Sequence, residues 1–119
     1  MRVEDNNLYQ KALAFAIRIV NLRKYLASKK REFTLSRQVL RSGSSIGANI
    51  AEANGGISKA DFSNKLAIAY KEALETKFWL QLLHATEYID KNMFDSLIND
   101  LDEIIKILFT ILKKTRIVS

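Results

Sequence analysis

A chain of 119 residues with no proline and only four glycines has few means of turning tight corners. A β-sandwich or barrel of this length reverses direction many times, and its turns draw on Gly and Pro. The composition therefore predicts long helices with few connections. Apolar spacing agrees, because steps of three and four residues place side chains on one helical face. In the first segment the seam is Leu8, Ala12, Phe15, Ile19, Leu22 and Leu26. Asn6 or Asn7 can cap its start. The segment ends in Ser28-Lys29-Lys30-Arg31, with cations where a helix C-terminus favours them.

The second segment, Leu35 to about Asn54, keeps the step through Leu35, Val39, Ser42, Ile46, Asn49 and Ala53. Its centre, Arg41-Ser42-Gly43-Ser44-Ser45-Ile46-Gly47, has poor helix propensity, each Gly costing about 1 kcal/mol against Ala. It reads either as a loop or as a helix whose small residues admit a neighbouring backbone. Asn54-Gly55-Gly56 supplies left-handed residues for a helix stop. In the third segment Ser58 and Asp61 form a variant capping box, with Ile57 and Phe62 at the staple positions. Its seam runs Phe62, Leu66, Ala69, Ala73, Thr76, Leu80, Leu83, ending near Tyr88. The fourth segment repeats this grammar, with Asp90 as cap, Ile89 and Phe94 as staple, and Phe94, Leu97, Leu101, Ile104, Leu108 and Ile111 as seam.

Segments of about 20 residues make helices near 30 Å long. Connections of a few residues force neighbours to run antiparallel. The expected fold is an all-α, antiparallel up-down-up-down four-helix bundle, with residues 1–119 as a single domain. With 48% hydrophobic and 27% charged residues, a chain of this length folds without staples. The fourth helix is apolar most of the way around, which predicts self-association through Ile105, Ile107, Phe109 and Leu112. No secretory signal opens the chain. Its longest apolar run, Ile104 to Leu112 interrupted by Lys106, is far short of the roughly 20 residues that cross a bilayer. A cytoplasmic protein with no membrane partner is expected.

The formal net charge is +6, and one stretch holds all of it. Between Arg23 and Arg41 lie seven bases (Arg23, Lys24, Lys29, Lys30, Arg31, Arg37, Arg41) and one acid, Glu32. Elsewhere the two signs cancel. This stretch is either a solvated helix corner or an anion-binding patch for nucleic acid.

Catalytic chemistry finds little support. The absence of cysteine excludes disulfides, zinc fingers and a thiol nucleophile. One histidine, His84, cannot build a His-rich metal site. Glu52, Glu72 and Glu75 come close together if the second and third helices pack side by side, the one arrangement that offers paired carboxylates. The glycines form neither GxGxxG nor a P-loop. Tyr70, Phe78 and Trp79 stand at core-like spacing and read as packing residues. No catalytic residue, metal or cofactor is expected.

The stretch Leu40-Arg41-Ser42-Gly43-Ser44-Ser45-Ile46-Gly47-Ala48-Asn49-Ile50-Ala51-Glu52-Ala53 resembles the R-S-x-x-S-I-x-x-N-I-A-E signature of the 23S ribosomal RNA intervening-sequence family of bacterial proteins. Lys59-Ala60-Asp61-Phe62 and Ala67 to Thr76 are similar to the start and centre of the family's third helix. Ala53-Asn54-Gly55-Gly56 departs from it, since the family more often has Gly-x-x-Arg there. The resemblance implies a left-handed bundle, a helical second segment and a homopentamer. It also implies buried polar contacts from Ser45, Asn49 and Glu52 to the third helix. Related bundles serve diversity-generating retroelements as basic pentamers that bind nucleic acid and a reverse transcriptase, and no enzymatic activity is implied. The expected function is thus a non-enzymatic, homo-oligomeric accessory protein that binds structured RNA through phosphate contacts. The alternative is an oligomeric scaffold for a protein partner.

Overall fold

The seams read from the sequence are the buried faces of four helices. A computed structural model describes residues 7–117 and places α1 at Leu8–Lys29, α2 at Leu35–Asn54, α3 at Lys59–Ala85 and α4 at Lys91–Ile117. Connections of four or five residues turn each helix back along its predecessor. The molecule measures 46 × 21 × 20 Å, which suits 27-residue helices such as α3 and α4 at about 1.5 Å per residue. Of the four neighbouring helix pairs, α2–α3 packs most extensively and α1–α4 least. Among the described residues no helix is long and apolar enough to cross a membrane.

All six α1 seam residues are buried, as are Leu66, Ala69, Ala73, Leu80 and Leu83 of α3 and Leu101, Ile104 and Leu108 of α4. The Ser/Gly run of α2 is helical throughout, so tertiary packing overrides its propensity. The reason is visible at Gly43. A Cβ built there would lie 2.9 Å from Ile19 Cγ2 and 3.0 Å from Cγ1, so the α1 side chain occupies that space. On the opposite flank of α2, Ser42 and Thr76 hydroxyls meet at 2.9 Å in the core. Thr76 also lies 2.7 Å from the Glu72 carbonyl. This pair is the buried polar link between α2 and α3. Ser45 and Asn49, expected in that role, bond each other within α2 instead. Glu52 is exposed and pairs at the surface with Lys65 of α3 (2.6 Å). A heptad step of seven from Asn49 leads to Ser42, and the deeper of the two positions carries the link.

The helix ends depart from expectation in physical detail. Asp90 caps α4 by accepting the Met93 N–H (2.8 Å), and Ser58 caps α3 by accepting that of Asp61 (3.1 Å). Ile89 is buried under its cap, whereas Ile57 is 94% exposed, so no staple forms at the start of α3. Asn7 occupies the N-cap position of α1 without a side-chain cap bond, and Asn6 lies outside the described residues. Gly55 closes α2 at φ −95° rather than in the left-handed region. Left-handed residues do follow α1 and α3, but they are Arg31 (φ 52°) and Glu87 (φ 68°). After Arg31 the Glu32 N–H reaches back to the Leu26 carbonyl (2.9 Å), and after Glu87 the Tyr88 N–H reaches Leu83 (2.9 Å).

The surplus apolar surface of α4 is largely used inside the bundle. Asp102 pairs with Lys77 of α3 (2.8 Å), and residues three and seven positions on, Ile105 and Phe109, share that flank. Asp100 and Glu103 pair with Arg18 and Lys11 of α1, which puts Ile107 on the α1 flank. Ile105 and Ile107 are half-buried against the core. Leu112, expected on an exposed flank, belongs to the core at 9% exposure. Phe109 remains 53% exposed beside Tyr70, ring centres 6.2 Å apart.

Candidate nucleic-acid interface

The basic stretch spans the C-terminal end of α1, the turn to α2 and the first turns of α2. Two physical devices fix this turn. The first is the left-handed Arg31 already described. The second is Glu32, whose carboxylate folds back over the start of α2. It accepts the N–H groups of Thr34 (3.2 Å), Leu35 (3.0 Å) and Ser36 (2.7 Å), while the Ser36 hydroxyl donates to the Glu32 carbonyl (2.8 Å). These N–H groups would otherwise lack partners at a helix start. Burial pushes the Glu32 carboxyl upward, but the three backbone donors outweigh it and hold the pKa below the ordinary 4.5. The stretch's one acid is therefore spent on the helix start, and makes no ion pair with the surrounding bases among the described residues.

Lys24, Lys29, Lys30, Arg31 and Arg37 are exposed. None forms an ion pair with another described residue. The other two bases differ. Arg41 leaves the group, because its guanidinium bonds Glu72 (3.3 Å) and Glu75 on α3, and Glu75 also accepts the Trp79 indole N–H (2.9 Å). Its charge is paired with two carboxylates, which sets it apart, among the expected phosphate contacts, from the five cations that pair with no described residue. Arg23 is half-buried, and its Nε is enclosed without a partner among the described residues. The stem packs at the helix surface and leaves Arg23 less available than the turn residues.

The acids considered for catalysis are all engaged by basic partners. Glu72 and Glu75 hold Arg41 and Glu52 holds Lys65. Among the described residues no group of three or more His, Asp or Glu side chains could hold a metal ion. His84 stacks on Phe94 with ring centres 4.5 Å apart and planes 14° from parallel.

One surface feature escaped the sequence reading. Leu13, Ile17 and Val20 form an exposed stripe along α1, opposite its seam, with Ile17 at 55% exposure. Leu74 and Phe78 add exposed apolar surface on α3. The steps of four and three from Leu13 to Val20 duplicate the buried seam's own period, and a second stripe was legible in that repetition.

Three comparisons bear on these features. Residues 4–110 match the family model described as 23S rRNA-intervening sequence protein. A crystal structure from Bacteroides thetaiotaomicron VPI-5482, described as a protein with unknown function from the S23 ribosomal protein family, is 55% identical to this chain. The match covers 89% of this chain and 98% of that one, with a TM-score of 0.88. No curated protein matches. A family match over nearly the whole helical bundle, joined to this identity and coverage, establishes that the chain belongs to the 23S rRNA-intervening sequence protein family.

Proposed function

We propose that the protein is a non-enzymatic, homo-oligomeric accessory factor of the cytoplasm that binds structured RNA through phosphate contacts. The observation that carries this reading is the α1–α2 turn, where Lys29, Lys30 and Arg31 stand exposed with Lys24 and Arg37 and no described carboxylate pairs with them. A cluster of unneutralised cations on a rigid turn raises local potential and attracts a polyanion. Contacts of this kind position a backbone and carry little sequence information.

Assembly multiplies the effect. The exposed Phe109 and the α1 stripe are surfaces that two copies can bury. A homopentamer would gather five such turns, and linked sites gain avidity without new contacts.

The test is RNA affinity against salt, together with mass in solution. With five cations engaged per chain, a rise from about 50 to about 200 mM salt lowers affinity by roughly two to three orders of magnitude. Changing Lys29, Lys30 and Arg31 to Ala weakens binding and flattens the slope by roughly 0.9 per lost contact. A flat response in the wild type, or an unaltered triple variant, overturns the nucleic-acid reading. A mass of five chains supports the pentamer, and a monomer removes the avidity argument.

The α1 stripe favours one other reading, a scaffold whose oligomer docks a protein partner. Retention of such a partner from nuclease-treated lysate, lost when Ile17 is changed to Asp, selects the scaffold.

A further inference from the structure

The end of the bundle that carries the cationic turn also holds a recess of about 350 Å³. This is near the small end of the roughly 300–1,000 Å³ range of ligand pockets. Tyr25 and Lys30 line it from the α1 side, His84 from the end of α3, and Glu87, Tyr88, Ile89 and Asp90 from the α3–α4 turn. Lys30 thus belongs both to the cationic turn and to the recess wall.

The lining has a chemical character. Tyr25 and Tyr88 are half-buried aromatic rings, whereas His84 is already stacked on Phe94. Glu87 is exposed and makes no ion pair or side-chain hydrogen bond among the described residues. It is held at φ 68°, a conformation in which glycine would be easier. Asp90 uses Oδ1 for the Met93 N–H. A bare phosphate suits these carboxylates poorly, and a wholly apolar ligand suits the charged wall poorly. A planar base with a hydrogen-bond donor on its edge and a phosphate beside it satisfies all three kinds of group. Aromatic rings take its face, a carboxylate accepts from its amine, and Lys30 takes the phosphate.

We propose that this recess receives an unpaired base bearing an exocyclic amine, such as cytosine, from a single-stranded segment whose phosphates lie on Lys29, Lys30 and Arg31. The inference rests on the nucleic-acid reading above and adds to it a site for one base. Folded RNAs offer such bases in loops and bulges, where an unstacked base can be presented to a protein. Cytosine and uracil differ at the group the carboxylate would read. They are equal in size, but at C4 cytosine carries an amine that donates to a carboxylate and uracil a carbonyl that the carboxylate repels.

The experiment measures affinity for labelled oligocytidylate, oligouridylate and an RNA duplex, using the full-length protein, with the ligands compared at one salt concentration and the duplex also measured between about 50 and about 200 mM salt. Wild type is expected to bind oligocytidylate about tenfold more tightly than oligouridylate, the discrimination of a single base-edge hydrogen bond. E87Q is expected to remove that preference, because a carboxamide can also donate to the uracil carbonyl. Y88A is expected to lower affinity for both single strands several-fold while leaving duplex binding unchanged. Equal binding of the two single strands by wild type, or an E87Q protein that keeps the preference, overturns the base site. Binding of cytidine monophosphate as tight as that of oligocytidylate also overturns it, since the recess would then serve a free nucleotide. Duplex binding that stays salt-dependent and sensitive to K29A/K30A/R31A leaves the parent reading standing through each of these failures. No binding to any RNA removes both.

Discussion

Gly43→Leu is expected to destabilise the bundle by at least about 4 kcal/mol, enough to unfold much of a small domain's population. The cause is the packing of α1 on α2. A Cβ at this position would already stand 2.9 Å from Ile19 Cγ2, and Ile19 is itself fully buried. A leucine has no space to enter without parting the two helices. Gly43→Ala sets two effects against each other. Helix propensity gains about 1 kcal/mol, while overpacking costs about 1–3 kcal/mol, so a net loss near 1 kcal/mol is expected. Gly47 gives the opposite sign. There a Cβ meets Ala12 at an ordinary 3.6 Å, and Gly47→Ala should stabilise by about 0.5–1 kcal/mol. Urea midpoints at unchanged slope read all three. A cycle pairing Gly43→Ala with Ile19→Ala should show coupling, because removing the γ carbons makes room for the new methyl.

The second large effect is at Glu32. Replacing it with Ala withdraws the acceptor of three backbone N–H groups at the start of α2. One of those donors, the Ser36 N–H, is buried. A loss of about 3 kcal/mol follows, from the missing cap and the unpaired donors together. Glu32→Gln keeps an oxygen but loses the charge, and should cost about 1 kcal/mol near neutral pH. The sign of the pH dependence is set by a folded-state pKa below the ordinary 4.5. The carboxylate's contribution is complete above 4.5 and is lost as pH falls through the folded value. The gap in thermal midpoint between wild type and Glu32→Gln should therefore narrow from pH about 5 to about 3. A constant gap would mean that the charge contributes nothing to the turn.

Periodicity carried the fold because burial of one face is a local pattern. The α1 seam from Leu8 to Leu26 could be read from spacing, and every member is buried. The Ser/Gly run of α2 resisted that reading, since what makes it helical is Ile19 on another helix. Helix ends were harder still. Arg31 and Glu87 take the left-handed conformation, which lets the following N–H groups reach back to Leu26 and Leu83, and the nearest glycines, Gly43 and Gly56, lie far off in the chain. The candidate site was legible as charge. Its availability was not, because Arg41 differs from Arg37 only in meeting Glu72 and Glu75 across the interface. The recess was out of reach, since Tyr25 and Tyr88 are 63 positions apart in the chain and meet only when α1 lies beside the last turn.

The chain's single tryptophan sits where its optical behaviour carries information. Trp79 donates its indole N–H to Glu75, the same carboxylate that bonds Arg41 across from α2, and Phe78 meets it edge-on at 5.1 Å. Anything that parts α2 from α3 releases the indole from a fixed ionic environment into solvent. The molecule thus comes with a native fluorophore wired to its largest helix pair, and emission wavelength can follow the parting of α2 from α3 on unfolding without a dye.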